Sequence, residues 1–146
     1  MTARTLPLSA VARNVASYHL MARKLDLGPH ACRILAELDA AMTAGMAVSQ
    51  IILSATLVDV MAHETSDMFA VDVSDDEQTS QMGLSWLTAE ERRELDWLRF
   101  RRNGIVYYEG PVSGMTSGAG DEAELNADAE RALAALLPLL DSLERV

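Results

Sequence analysis

Length, composition and charge limit what this chain can be. Its 146 residues suit one compact domain, because a chain of this size buries roughly two thirds of its unfolded surface. A hydrophobic content of 49% excludes a disordered chain, and the abundance of Ala, Leu, Met and Glu favours helix over sheet. A net charge of −10 does not suit a nucleic-acid binder, which needs a broad basic face. We expect residues 1–146 to form a single helical domain.

Localisation and cofactors are predicted from the cysteine content and the motifs. The single cysteine, Cys32, has no partner for a disulfide or a metal site, which favours a core thiol in a reducing cytoplasm. The most apolar stretch, residues 46–62, is interrupted by polar residues such as Asp59, so it falls short of the ~18 apolar residues of a membrane span. No Walker loop or dinucleotide fingerprint can be read. We predict no cofactor, no metal and no membrane partner.

The first two predicted elements are helices. Ser9 is placed to cap an N-terminal helix over about residues 9–25, in which apolar residues recur at helical spacing. Pro29 then opens a second helix, because proline is favoured at the first helical position. Gly45 is expected to end that helix, since glycine readily adopts the left-handed conformation that follows a last turn.

The third element is the most apolar of the chain. From about Val48 to Glu64 it is apolar on nearly every side, which predicts a helix through the centre of the domain. His63, Glu64 and Asp67 cluster at its end, and a histidine four residues before an acid, as His63 is before Asp67, can share a metal ion. A third ligand for such a pair is missing, so we interpret the cluster as a solvated helix terminus. Residues 65–85 are acidic and rich in turn formers, which predicts a loop.

Two further helices complete the predicted fold. Thr88 followed by Glu91 forms a capping box that opens a fourth helix over about residues 88–108. Residues 110–120 are rich in Gly and Ser and indicate a flexible linker, and a last helix with a leucine stripe follows from about 121 to 144. The predicted fold is all-α, an antiparallel bundle of four main helices plus an N-terminal helix.

The arginines of the fourth helix raise the main functional question. Lys and Arg are absent between Arg33 and Arg92, yet five arginines lie within residues 92–102. On a helical wheel, Arg102 projects from the middle of an apolar face, where an unpaired charge would be too costly. Asp59 is the only charged residue of the third helix before its end. This predicts a structural ion pair between Asp59 and Arg102, or an arginine that faces a cleft.

The motif around Arg102 resembles that of a known superfamily. Leu98 and Arg99 precede Arg102 and Asn103, and an aromatic residue, Tyr107, follows after three further positions. This order, after an apolar helix and a loop, is similar to the HEPN superfamily of small helical bundles, over roughly residues 31–144. HEPN proteins are recognised by an arginine, often followed by a polar residue, and by a histidine four to six residues later.

The resemblance implies a homodimer and, in the ribonucleases of the superfamily, metal-independent RNA cleavage at the dimer interface. Arginine would stabilise charge on the phosphate, and histidine would transfer protons. In this chain Tyr107 occupies the histidine position, and tyrosine, with an ordinary pKa of about 10, is a poor base at neutral pH. The motif is therefore degenerate. Candidate catalytic residues are Arg102, Asn103 and Tyr107, and candidate binding residues are Arg99 and Tyr108.

Three functions remain open from the sequence. The leading interpretation is a cytoplasmic, homodimeric HEPN-like protein that acts as a binding or regulatory module and is not an efficient enzyme. The second is a metal-independent endoribonuclease with an altered site of Arg102, Asn103 and Tyr107, and with RNA as its partner. The third is an accessory domain that binds another protein through its acidic surface. A helical bundle would serve all three, because fold does not determine function.

Overall fold

The computed structural model describes residues 27–64 and 87–144. Within these two ranges all regular structure is helical and no strand is present. The four helices are α1 (Pro29–Ala44), α2 (Ala47–Glu64), α3 (Ala89–Val106) and α4 (Asp121–Glu144). The all-α prediction is confirmed for this part of the chain. The N-terminal helix predicted over residues 9–25 and the loop predicted over 65–85 lie outside the described residues.

Both ends of α1 are determined by specific hydrogen bonds. The Glu64 carboxylate accepts hydrogen bonds from the backbone N–H groups of His30 (3.0 Å) and Ala31 (2.8 Å). These N–H groups have no acceptor within the helix, and a negative charge beside them also interacts favourably with the helix dipole. Gly45 ends α1 with φ 72°, and the turn is closed by a hydrogen bond from the N–H of the following Met46 to the Ala41 carbonyl. Glu64 is therefore a cap of α1, a role that its interpretation as part of a solvated terminus did not include, and His63 beside it is exposed.

Helix α2 is the central element of the described bundle. It packs against each of the other three helices, and most of its apolar side chains are buried. Gln50 is buried as well, and its side-chain amide donates a 3.0 Å hydrogen bond to the backbone carbonyl of Ala129 in α4. This bond ties α2 to α4 in the middle of the core. The central position predicted from the apolar character of this segment is confirmed.

Helices α3 and α4 pack against each other in opposite directions. The predicted capping box is present, because Thr88 Oγ1 accepts from the Glu91 N–H and the Glu91 carboxylate accepts from the Thr88 N–H. Glu94 binds Arg131, and Arg101, farther along α3, binds Asp128, which lies earlier in α4. The order of the partners is thus reversed, which makes the pair antiparallel.

The hydrophobic core is assembled from all four helices, with one departure from the expected faces. Leu38, Leu57, Leu98 and Leu136 are fully buried within one cluster. Cys32 is exposed, so its assignment as a core thiol was wrong. The buried face of α1 instead carries Ala31, Leu38, Ala41 and Met42. Cys32 lies one position beyond this stripe, where its thiol contacts only the Leu27 carbonyl among the hydrogen-bond acceptors described.

The Gly/Ser-rich segment between α3 and α4 is held against the helices. Asp121 accepts hydrogen bonds from the Thr116 hydroxyl (2.9 Å), the Thr116 N–H (2.7 Å) and the Gly118 N–H (3.2 Å). Burial acts to raise the pKa of the Asp121 carboxyl, but these bonds together lower it below its ordinary value. In this segment, which was predicted to be a flexible linker, donors of Thr116 and Gly118 thus find a carboxylate at the start of α4.

Candidate functional site

Asp59 of α2 lies between two arginines of α3. Its Oδ2 is 3.0 Å from Arg102 Nη2, and its Oδ1 is 3.5 Å from Arg99 Nη1. All three side chains are largely buried, with between 15% and 25% of their surface exposed. Arg102 on the apolar face and Asp59, the carboxylate of α2 that precedes its last turn, thus lie at ion-pair distance, as the sequence predicted. Arg99 joins the same carboxylate.

The charges around Asp59 balance when one further carboxylate is counted. Asp96 lies one turn before Arg99 on α3, and its carboxyl is influenced by that guanidinium. Burial raises the pKa of Asp96 above its ordinary value, while the positive charge of Arg99 opposes this rise. Two arginines and two carboxylates thus form a group with no formal net charge. Such a group attracts a phosphate less than two unpaired arginines would.

Arg102 also orients its neighbour. Its Nε donates a 2.9 Å hydrogen bond to the Oδ1 atom of Asn103. Because the amide oxygen of Asn103 is engaged in this way, its NH₂ group is directed elsewhere as a donor. The sequence candidates Arg102 and Asn103 therefore form one connected pair, which continues through Arg102 to Asp59.

Among the residues described, the most buried arginine is one that the sequence analysis did not select. Only 8% of Arg101 is exposed, and its Nε donates a 2.8 Å hydrogen bond to Asp128 of α4. Its Nη2 donates to the carbonyl of Ser113 in the segment that follows α3. The sequence did indicate that Arg101 shares the buried face, because Leu98, Arg101 and Ile105 follow the i, i+3, i+7 pattern of one helix face. Arg101 therefore joins α3, α4 and the segment between them.

A surface cleft of about 440 Å³ lies beside the end of α3. Phe100, Asn103, Gly104 and Tyr107 form one wall, and residues 109–112 form the other. This volume is within the range of small-ligand pockets. Two of the candidate site residues, Asn103 and Tyr107, thus line the same cleft.

The remaining candidates do not line this cleft. Arg99 and Arg102 are directed toward Asp59, and the Tyr108 side chain is 80% exposed outside the cleft wall. Val106, at the end of α3, is 47% exposed, because the buried face of this helix is centred closer to Arg101 than to Arg102. The structure therefore separates the arginines from the cleft that holds Tyr107.

The two large aromatic residues in the middle of α3 have different surroundings. The guanidinium of Arg131 lies over the Trp97 ring, 3.9 Å from its centroid, and it is held there by two 2.8 Å bonds to Glu94. The hydrogen bond from Arg131 lowers the pKa of the Glu94 carboxyl. Phe100, by contrast, is 76% exposed. Trp97 is thus covered within one chain, whereas Phe100 is largely uncovered.

The described residues contain neither a metal-binding cluster nor a membrane-spanning helix. Across 27–64 and 87–144, no group of three potential His, Cys, Asp or Glu ligands is close enough to hold a metal ion. None of the helices described is long and apolar enough to cross a bilayer. Comparison with known protein families, with curated proteins and with solved structures finds no match.

Proposed function

We propose that this chain is a homodimeric HEPN-like module that binds or regulates a macromolecular partner and does not cleave RNA. The observation that carries the proposal is the 3.0 Å ion pair between Arg102 and Asp59. Arg102 is the residue that would hold a phosphate in an HEPN-type ribonuclease. Here an internal carboxylate already occupies it.

An RNA phosphate would have to compete with Asp59 for Arg102. The carboxylate is covalently part of the protein and partly buried beside the guanidinium, so it acts at a high effective concentration. Displacing it would also leave a largely buried carboxylate with Arg99, 3.5 Å away, as its remaining cation, and the loss of the closer partner is costly. These two effects favour a structural arginine over a phosphate-binding one.

The residue at the position of the family's proton-transferring histidine also supports the proposal that the chain does not cleave RNA. Tyr107 stands where HEPN ribonucleases have histidine, and its side chain is 65% exposed at the edge of the cleft. A phenol near neutrality donates a hydrogen bond, but it is a poor proton acceptor compared with an imidazole. At this position the cleft thus lacks the imidazole that takes a proton from a ribose hydroxyl in those ribonucleases.

The homodimer is supported by the surface at the end of α3. Four large aromatic or apolar residues that lie close together in the sequence are each about half exposed or more: Phe100, Val106, Tyr107 and Tyr108. Exposed aromatic side chains grouped in this way are typical of interaction surfaces. The chain's net charge of −10 additionally favours a further partner with a basic surface.

A ribonuclease assay in the presence of a metal chelator tests the catalytic part of the proposal. We expect no cleavage above background by the native chain. Tyr107→His restores a group that titrates near neutrality, and Asp59→Asn frees Arg102, so the double variant is expected to gain measurable cleavage. Tyr108→His is the matched control, because it places an imidazole outside the cleft.

One result would replace this proposal with the alternative of an altered ribonuclease. That result is robust cleavage by the native chain that is lost in both Tyr107→Phe and Arg102→Lys. The second variant keeps the positive charge, so loss of activity would report the geometry of the arginine and not its charge.

A further inference from the structure

We propose that two copies of the chain pair through the outer stripe of α3, with Phe100 at the two-fold axis. In this arrangement Arg93 of each copy enters the cleft of the other, between Tyr107 and Glu109. The inference rests on the homodimer of the proposed function and adds the surface and the contacts that form it.

The stripe is determined by helical spacing. Arg93, Phe100 and Tyr107 are seven residues apart, so they lie within about 40° of one another around α3 and about 10.5 Å apart along it. Tyr107 keeps this register, because its N–H still donates to the Asn103 carbonyl at 2.9 Å. All three side chains are exposed. They form a straight line along the outside of the bundle.

The equal spacing makes this stripe self-complementary. When two such helices cross antiparallel with Phe100 against Phe100, Arg93 of one copy lies opposite Tyr107 of the other, and the reverse holds by symmetry. An isologous contact requires this reciprocity, because both copies use the same surface. A cation over a tyrosine ring is a favourable contact.

Charge also indicates that Arg93 is the residue that enters the cleft. Seven arginines lie in the described ranges. Six of them have an acceptor within the chain: Arg33, Arg92, Arg99, Arg101, Arg102 and Arg131. Among these residues Arg93 is the one for which no hydrogen bond or ion pair is seen.

The lining of the cleft is complementary to an arginine side chain. Its lining carries one formal charge, the carboxylate of Glu109, and two exposed rings, Phe100 and Tyr107. Gly104 lines the cleft as well and, having no side chain, leaves space for an incoming one. Because the buried arginines nearby are neutralised by Asp59 and Asp96, a guanidinium that enters meets a negative charge and no free positive one. A local match of this kind is needed, since two chains of net charge −10 otherwise repel each other.

Charge reversal and its rescue test this contact. Light scattering after size exclusion, at tens of micromolar, is expected to give twice the 15.9 kDa chain mass for the native protein. Arg93→Glu and Glu109→Arg, made separately, are each expected to shift the protein to a monomer. The charge-swapped double variant is expected to recover the dimer, because the ion pair is restored in the opposite sense.

The controls have matched charge changes. Arg33→Glu and Glu122→Arg reverse exposed charges elsewhere on the chain and are expected to leave the dimer intact. Phe100→Ser removes the residue at the axis and is expected to give a monomer with an unchanged circular dichroism spectrum. The spectrum shows that a loss of association is not a loss of fold.

Two outcomes overturn the inference, and they differ in what they say of the proposed function. A native dimer that persists in Arg93→Glu, Glu109→Arg and Phe100→Ser shows that the subunits meet elsewhere, and the proposed function then stands. A native monomer at tens of micromolar removes the homodimer itself, together with this contact. Neither outcome bears on the proposal that the chain does not cleave RNA, because the ribonuclease assay tests that proposal independently.

Discussion

Asp59 of α2 and Arg102 of α3 form a 3.0 Å ion pair across 43 positions of sequence, with Arg99 as a second cation on the same carboxylate. The pair joins the central helix to the helix that carries the candidate motif. Its side chains are neither fully buried nor freely solvated, so its energy lies between those of core and surface ion pairs.

This arrangement predicts an asymmetric double-mutant cycle. Arg102→Ala is expected to lower the free energy of unfolding by about 1–3 kcal/mol, and Asp59→Ala by more, because it leaves two arginines without their carboxylate. The coupling between the two substitutions is expected to be about 1–2 kcal/mol in urea denaturation. The exposed pair Arg33 and Glu37 on α1 serves as the control, with coupling of about 0.3–0.5 kcal/mol. Equal coupling in both cycles would contradict the central role of Asp59.

Arg101 is expected to be the most costly arginine to remove. Arg101→Ala leaves Asp128 and the Ser113 carbonyl without a donor in a site that is nearly closed to water, which is expected to cost about 3–5 kcal/mol. Arg101→Lys keeps the charge but has no fork to reach both acceptors, so it is expected to recover only part of this loss. Denaturant unfolding measures the loss in unfolding free energy for each of the two variants. A loss below about 1 kcal/mol for Arg101→Ala would show that the segment after α3 is not tied through this residue.

The cap of α1 by Glu64 predicts a second coupled pair. Glu64→Ala removes the acceptor of two N–H groups and is expected to cost about 1–2 kcal/mol. Gly28 has φ −67°, which alanine adopts without strain, yet a Cβ at this position would overlap the Glu64 carboxylate. Gly28→Ala is therefore expected to destabilise the native chain and to have little effect in the Glu64→Ala background. Equal effects in both backgrounds would show that the glycine acts independently of the cap.

Asp121 predicts a specific dependence of stability on pH. Its pKa is lowered in the folded chain, so its contribution is fully present above the unfolded value of about 3.9 and is lost as the pH falls through the lower folded value. The difference in unfolding free energy between the native chain and Asp121→Asn is therefore expected to be larger at pH 7 than at pH 2. Glu122→Gln, one residue later in the same first turn, controls for the general effect of removing a negative charge. A difference for Asp121→Asn that does not vary with pH would contradict the assigned hydrogen bonds.

Helix positions in the described part of the chain could be predicted from local signals. The capping box of Thr88 and Glu91 spans three residues, and Gly45 acts on the turn directly before it. Such signals operate over one helical turn, so they can be read without knowledge of the fold. For the same reason, the apolar character of α2 predicted its central position before any partner helix was known.

The contacts that define the candidate site depend on residues far apart in the sequence. Asp59 could be matched to Arg102 because each was an isolated charge on an apolar face, which made the number of possible partners small. Arg101 and Asp128 are 27 positions apart, and Glu64 and Ala31 are 33 apart, and in each case many other polar residues were equally available. One partner among many is selected only when packing brings two helix faces together at a particular height and rotation. The centre of the buried face of α3 lies one residue from its expected place, and this shift makes Arg101, and not Arg102, the most buried arginine of that helix. The tertiary structure alone therefore decided which charges are paired in the interior and which, such as Arg93 and Glu109, remain at the surface.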